Sequence, residues 1–168
     1  TYLLMFMVVI AGYMFYLRYQ QGNTAHRAEA WLAYIDASAS GLPASHEDVA
    51  QTYSDVDALH TLGLLSAADG YMRSVIIGRT LGSTENITTI LSTEDRSFYL
   101  QKADGLYSLA IANDDNSEEL TILAVSGLNG RAAVAESMGN IDAARGYYES
   151  VIARSQSQYP SLASQAQR

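Results

Sequence analysis

Apolar residues recur at spacings of three and four along most of this chain, and this periodicity constrains the fold more than any other feature of the sequence. One example is the run that contains Ala25, Ala28, Trp31, Leu32 and Ile35. Residues at these spacings share one face of an α-helix, whereas a half-buried β-strand needs apolar and polar residues to alternate. No segment sustains such an alternation. The sequence therefore predicts an all-α fold.

Turn and capping residues divide this pattern into separate helices. The first predicted helix ends near Ala37, before a run of small and turn-forming residues at 38–43. Ser45 with Asp48 three residues later resembles a capping box, so a helix is expected to begin at Ser45. Further helices are predicted at 56–80, 95–112, 118–138 and 141–158, and a last one is expected to begin at Pro160.

Residues 2–17 form a continuous apolar and aromatic segment, and Arg18 is the first charged residue. As a helix this segment is about 24 Å long, a little less than the hydrocarbon core of a bilayer, and the nearby Tyr13, Tyr16 and Tyr19 suit a membrane interface. A cleaved signal peptide is disfavoured because a basic region does not precede the apolar run. The prediction is a single-pass membrane helix, with burial among copies of itself in an extracellular filament as the alternative. The residues expected to face lipid or the assembly core are Leu3, Leu4, Phe6, Val8, Val9, Ile10, Phe15 and Leu17.

Three regions follow from these features. Residues 1–20 are predicted to be the hydrophobic helix, and residues 21–44 its continuation as a helical stalk and a loop. Residues 45–168 are predicted to form one helical domain of ordinary size.

The charge balance and the missing residue types exclude several classes of function. The net charge is −8, from 18 acidic and 10 basic residues, which opposes binding to nucleic acid. The chain has no cysteine, and its histidines, His26, His46 and His60, lack the spacing of metal ligands. Neither a glycine-rich phosphate loop nor a nucleophile elbow occurs. We therefore expect no catalytic, cofactor-binding or metal residues and no small-molecule substrate.

The most specific motif lies between residues 128 and 148. Its members are Leu128, Ala132, Ala135, Gly139, Ala144 and Tyr148. Counted from Leu128, they stand at positions 0, 4, 7, 11, 16 and 20, which are the spacings of a tetratricopeptide repeat. Small residues let two antiparallel helices approach closely, and glycine permits the tight turn between them. One such repeat cannot bury its own faces. The neighbouring helices are therefore predicted to be divergent repeats in a stack of antiparallel hairpins, and an unrelated helical hairpin is the alternative.

The order of these elements resembles a known family. The apolar span, the segment Ala-His-Arg-Ala-Glu-Ala-Trp at 25–31 and the segment Gly-Arg-Ala-Ala-Val-Ala-Glu-Ser-Met-Gly-Asn-Ile-Asp-Ala-Ala at 130–144 are similar to YfgM-type membrane-anchored tetratricopeptide-repeat proteins. The resemblance implies a repeat domain outside the cytoplasm, in the cell envelope, that associates with secretion or envelope-folding proteins.

Two further features bear on function. Tyr99, Tyr107, Tyr147 and Tyr148 fall at helical spacings and are expected to pack between helices, with a concave recognition face as the alternative. Asn86 begins an Asn-Ile-Thr triplet and is a candidate glycosylation site, although such triplets also occur by chance. The sequence predicts a tethered, non-catalytic protein-interaction or scaffold module, and the alternative is a structural subunit of a self-assembling filament.

Overall fold

The computed structural model describes residues 22–82, 89–113, 117–156 and 159–166, and these residues are almost entirely helical. The helices are α1 (22–40), α2 (Pro43–Thr52), α3 (Asp57–Ile77), α4 (Thr93–Ala112), α5 (Glu118–Ser137), α6 (Ile141–Ser155) and α7 (Pro160–Ala166). No strand occurs in these ranges, although Arg79 and Ile90 form one isolated antiparallel bridge. The predicted all-α class is confirmed.

Polar side chains cap the starts of three helices. Ser92 accepts a hydrogen bond from the backbone of Asp95 at the start of α4, and Ser117 accepts one from Leu120 at the start of α5. Asn140 caps α6 by accepting from the backbone of Ala143. Such caps satisfy backbone N–H groups that have no partner inside the helix, which explains why these boundaries were readable from the sequence.

The predicted capping box at the start of α2 is wrong. The helix begins at Pro43, two residues before Ser45, and Leu42 at the N-cap position makes no side-chain cap. Proline is favoured in a first helical turn because its φ is already helical and its missing N–H is not needed there. The Ser45 hydroxyl instead accepts a hydrogen bond from the hydroxyl of Ser40.

The helices form a stack in which each packs against its neighbour along the chain from α2 to α7, and α3 also contacts α5. Connections of three or four residues join α2 to α3, α5 to α6 and α6 to α7. Packed helices that are joined by such short connections run antiparallel. The largest buried cluster joins α2, α3, α4 and α5, and it includes Leu65, Met72, Leu100, Leu106 and Val134. Burial of such side chains from neighbouring helices is the main source of stability in a stack of this kind.

The helix α1 extends this core on the side of α2 and α3. Ala30 and Ala37 of α1 are buried with Val49 and Leu59, so residues 22–40 pack onto α2 and α3. Small residues at these α1 positions let its backbone come close to its neighbours.

The apolar segment at 2–17, and with it the eight residues predicted to face lipid or an assembly core, lies outside the described residues, as does Asn86. Among the helices that are described, none is both long enough and apolar enough to cross a bilayer.

Candidate functional site

A groove runs along the face of α3 that its neighbouring helices leave uncovered. This face carries four residues at spacings of three and four, which are Ser66, Asp69, Arg73 and Ile76. The residues between them are largely buried. The α1–α2 corner borders one side of this face and α5 borders the other. We call this surface the α3 groove.

Two adjoining cavities make up the α3 groove. The first has a volume of about 250 Å³ and lies between α3 and the α1–α2 corner, with Ser38, Pro43 and His46 in its wall. The second has a volume of about 570 Å³ and lies between α3 and α5, with Ser126 and Asn129 in its wall. Asp69 and Arg73 line both cavities, so the two form one continuous surface.

Arg73 and Asn129 are the exposed polar groups of the groove that remain unengaged. Neither side chain makes a hydrogen bond or ion pair with any residue that the structure describes, and both are exposed. A guanidinium group donates up to five hydrogen bonds, and a side-chain amide both donates and accepts. The groove therefore offers a cation and an amide to whatever enters it.

Asp69 is held in place by Tyr107 of α4. The Tyr107 hydroxyl donates a 2.6 Å hydrogen bond to Oδ1 of Asp69. Burial of the phenol and this carboxylate neighbour both raise the pKa of Tyr107 well above its ordinary value. Gly130 of α5 makes room for the ring, because a Cβ at that position would collide with the ring atoms of Tyr107.

His46 forms the buried end of the first cavity. The residue is only 9% exposed, and its Nδ1 is buried without a hydrogen-bond partner among the described residues. Its ring lies against Tyr34, with ring centroids 5.1 Å apart, and the Tyr34 hydroxyl is hydrogen-bonded to Ser66. Burial lowers the pKa of His46, because a charged imidazolium is poorly solvated there.

Polar contacts away from the groove bind the helices to one another. Glu47 of α2 accepts hydrogen bonds from Tyr71 of α3 and Lys102 of α4. Arg131 of α5 holds both carboxylate oxygens of Asp104 of α4, at 2.8 and 3.1 Å, and stacks over the ring of Tyr147 of α6. Because these side chains bind one another across helices, we assign them a role in stability and not in ligand binding.

The residues of the predicted repeat motif lie in and around the α5–α6 hairpin. Leu128, Ala132, Ala135 and Ala144 are buried, and Gly139 has a left-handed φ of 76° in the turn. Tyr148 is half-buried and donates a hydrogen bond to Glu136. Tyr148 and Glu136 both border a separate open cavity of about 620 Å³ next to α7. None of the six motif residues lines the α3 groove, although Asn129, Gly130 and Ala133, which lie between them on α5, do.

Sequence reasoning did not single out the groove residues His46, Asp69, Arg73 and Asn129 as a group. The available signal was the row of polar residues at helical spacing within the otherwise apolar α3, which marks a solvent-facing stripe on a helix that is buried on its other sides. Of the four tyrosines singled out, Tyr107 lies at the groove. Within the described ranges, no group of three or more His, Cys, Asp or Glu side chains is placed to hold a metal ion.

The comparisons with protein-family models, with curated proteins and with solved structures gave no match to this chain.

Proposed function

We propose that this chain is a non-catalytic interaction module that binds an extended segment of another protein in the α3 groove. The observation that carries the proposal is the pair of unengaged groups, Arg73 and Asn129, beside the exposed apolar side chain of Ile76. An extended peptide presents backbone N–H and C=O groups that lack partners, and a side-chain amide can satisfy one of each. A guanidinium group can bind a carbonyl or a carboxylate of the same peptide.

We further propose that the stack is an array of divergent tetratricopeptide repeats of the YfgM-like kind. Support comes from the burial of Ala132 and Ala144 and from the left-handed Gly139 between their helices. In such arrays, binding surfaces form where equivalent helices of successive hairpins line up. With α3–α4 and α5–α6 taken as successive hairpins of this array, α3 and α5 are equivalent helices, and the groove lies along their contact.

The proposed location is the cell membrane, with residues 2–17 as a single span and the groove outside the cytoplasm. The alternative keeps the same segment inside an extracellular filament. Negative-stain electron microscopy of native material prepared without detergent separates the two. Ordered filaments would overturn the tether, whereas a protein that leaves the membrane only with detergent would support it.

The groove itself is tested by selecting peptides from a random-peptide phage library on the full chain and then measuring their binding to variants. We expect the selected peptides to lose at least about tenfold in affinity for Arg73→Glu, since a lost charge-assisted hydrogen bond costs about 1.5–3 kcal/mol. For Asn129→Ala the expected loss is about two- to tenfold, since a lost neutral hydrogen bond costs about 0.5–1.5 kcal/mol. Arg145→Glu is the matched control, because Arg145 is an exposed arginine that borders the cavity next to α7. If the peptides bound equally well to Arg73→Glu, Asn129→Ala and Arg145→Glu, the peptide site would lie outside the α3 groove.

A further inference from the structure

Asp69 and Arg73 stand four residues apart on the open face of α3, and no ion pair joins them. Both side chains are exposed to solvent, and both line the two cavities of the α3 groove. An aspartate with an arginine four residues later has the spacing and the order that favour an ion pair on a helix. The ion pairs among the described residues join other side chains. The separation of these two charges therefore needs a structural cause.

The carboxylate of Asp69 has a different partner. The Tyr107 hydroxyl, on α4, donates a 2.6 Å hydrogen bond to its Oδ1 atom. A hydrogen bond to a carboxylate is charge-assisted and is stronger than one between neutral groups. Burial and this carboxylate both raise the pKa of Tyr107, so the hydroxyl stays protonated and remains a donor at physiological pH. Asp69 is thereby held toward α4.

The Tyr107 ring is fixed in the position that this contact requires. It is 3% exposed and belongs to the largest buried cluster of the stack. On the α5 side it lies against Gly130, where an added Cβ would collide with the ring. The missing side chain at Gly130 therefore lets the ring pack between the helices while its hydroxyl reaches Asp69.

We propose that Tyr107 is a positioning residue of the α3 groove, whose hydroxyl holds Asp69 away from Arg73 and so keeps the guanidinium free for the bound segment. This inference rests on the proposed function, in which Arg73 binds a carbonyl or a carboxylate of a peptide. If Asp69 and Arg73 paired, that pair would have to break before the peptide could bind. An unpaired guanidinium is preorganised, which increases affinity without adding a contact.

The reactivity of Arg73 toward phenylglyoxal tests this role without any peptide. The reagent modifies arginine side chains through their uncharged form, and a carboxylate partner slows it because the pair favours the charged form. The full chain would be modified to low conversion as wild type, as Tyr107→Phe and as a double variant that adds Asp69→Ala. Mass spectrometry then compares modification at Arg73 with that at Arg145, an exposed arginine beside the cavity next to α7.

We expect Arg73 to react about two- to fivefold more slowly in Tyr107→Phe than in the wild type, which is the range for an exposed ion pair. The variant keeps the buried ring and loses only the hydroxyl, so Asp69 becomes free to pair with Arg73. The wild-type rate should return in the double variant, since it has no carboxylate at position 69. Arg145 should react at the same rate in all three proteins.

Three results would overturn the proposal. An Arg73 rate that Tyr107→Phe does not lower would show that the hydroxyl does not keep the charges apart. A rate that stays low in the double variant would show that Asp69 is not the cause. Selected peptides that bind Tyr107→Phe as tightly as the wild type, while Arg73→Glu weakens them, would show that the contact does not serve binding.

The same measurements separate this inference from the proposed function. If Arg73 reacts as expected but Arg73→Glu leaves peptide binding unchanged, the proposed function fails. The contact that keeps Arg73 unpaired would then stand on the phenylglyoxal rates alone.

Discussion

The Tyr107 hydroxyl on α4 donates a 2.6 Å hydrogen bond to Asp69 on α3, and this contact joins the core of the stack to the floor of the groove. Tyr107 is 3% exposed, whereas Asp69 is exposed to solvent. The buried ring therefore anchors an acidic side chain at the centre of the candidate binding surface. The first two predictions concern this pair.

Gly130→Ala is expected to destabilise the protein by about 1–3 kcal/mol, the usual cost of forcing extra volume into a packed site. The added methyl would collide with the Tyr107 ring, which is held between helices and by Asp69 and cannot move freely. Gly146→Ala is the matched control, because a Cβ there meets nothing within 4 Å. Gly146→Ala is expected either to leave the stability unchanged or to increase it by as much as about 1 kcal/mol, because alanine is favoured over glycine inside a helix. Urea unfolding measures the change in stability of each variant. If Gly130→Ala and Gly146→Ala had equal effects, the close contact between Gly130 and the Tyr107 ring would be contradicted.

Tyr107→Phe is expected to make unfolding less sensitive to alkali. The pKa of Tyr107 is raised in the folded state from an ordinary value of 10.0, so above that pH the unfolded chain releases a proton that the folded chain keeps. The stability contributed by this group is therefore complete below pH 10.0 and is lost as the pH rises further. Urea midpoints measured from pH 8 to pH 11 should fall less steeply in the variant than in the wild type.

Tyr99→Phe is the control for this alkaline series, since the Tyr99 hydroxyl accepts a weak 3.5 Å hydrogen bond from the backbone of Leu81. If Tyr99→Phe and Tyr107→Phe changed the pH dependence equally, the carboxylate contact of Tyr107 would not be responsible.

His46→Gln is expected to reduce the loss of stability in mild acid. Burial lowers the pKa of His46 from 6.5, so the unfolded chain takes up a proton in a pH range where the folded chain does not. Its stabilising contribution is complete above pH 6.5 and is lost as the pH falls below that value. Unfolding measured from pH 7.5 to pH 5 should show a shallower slope in the variant.

His26→Gln is the control for the acid series, because His26 lies at the surface and pairs with Asp55 at 3.0 Å. A slope that became shallower for His26→Gln but stayed unchanged for His46→Gln would contradict the assignment.

Arg131→Lys is expected to cost about 0.5–1 kcal/mol of stability, which is a modest effect because the pair is partly exposed. Lysine cannot hold both carboxylate oxygens of Asp104, nor stack as a planar group over Tyr147. Arg145→Lys changes the same residue type at the surface and should have no measurable effect. Thermal unfolding of the two variants and the wild type makes the comparison, and equal melting temperatures would show that the contacts of Arg131 contribute nothing.

Much of the helical layout could be predicted from the sequence, because local groups set it. Ser92, Ser117 and Asn140 each satisfy a backbone N–H within three residues, and Gly139 adopts the left-handed turn that other residues resist. The errors were local as well. Pro43 began α2 earlier than the serine expected to cap it, and the helix predicted to reach residue 80 ends at Ile77.

The sequence by itself thus determined the helical class, the small residues of the α5–α6 hairpin and the apolar character of α1. Only the tertiary structure decided which sides of the helices remain open. It brought Asp69 to Tyr107 and His46 to Tyr34, and it left Arg73 and the apolar α1 side chain of Ile35 exposed. The physical reason is that helical periodicity specifies which residues share a face. Whether that face is buried depends on the packing of helices that lie far apart in the chain.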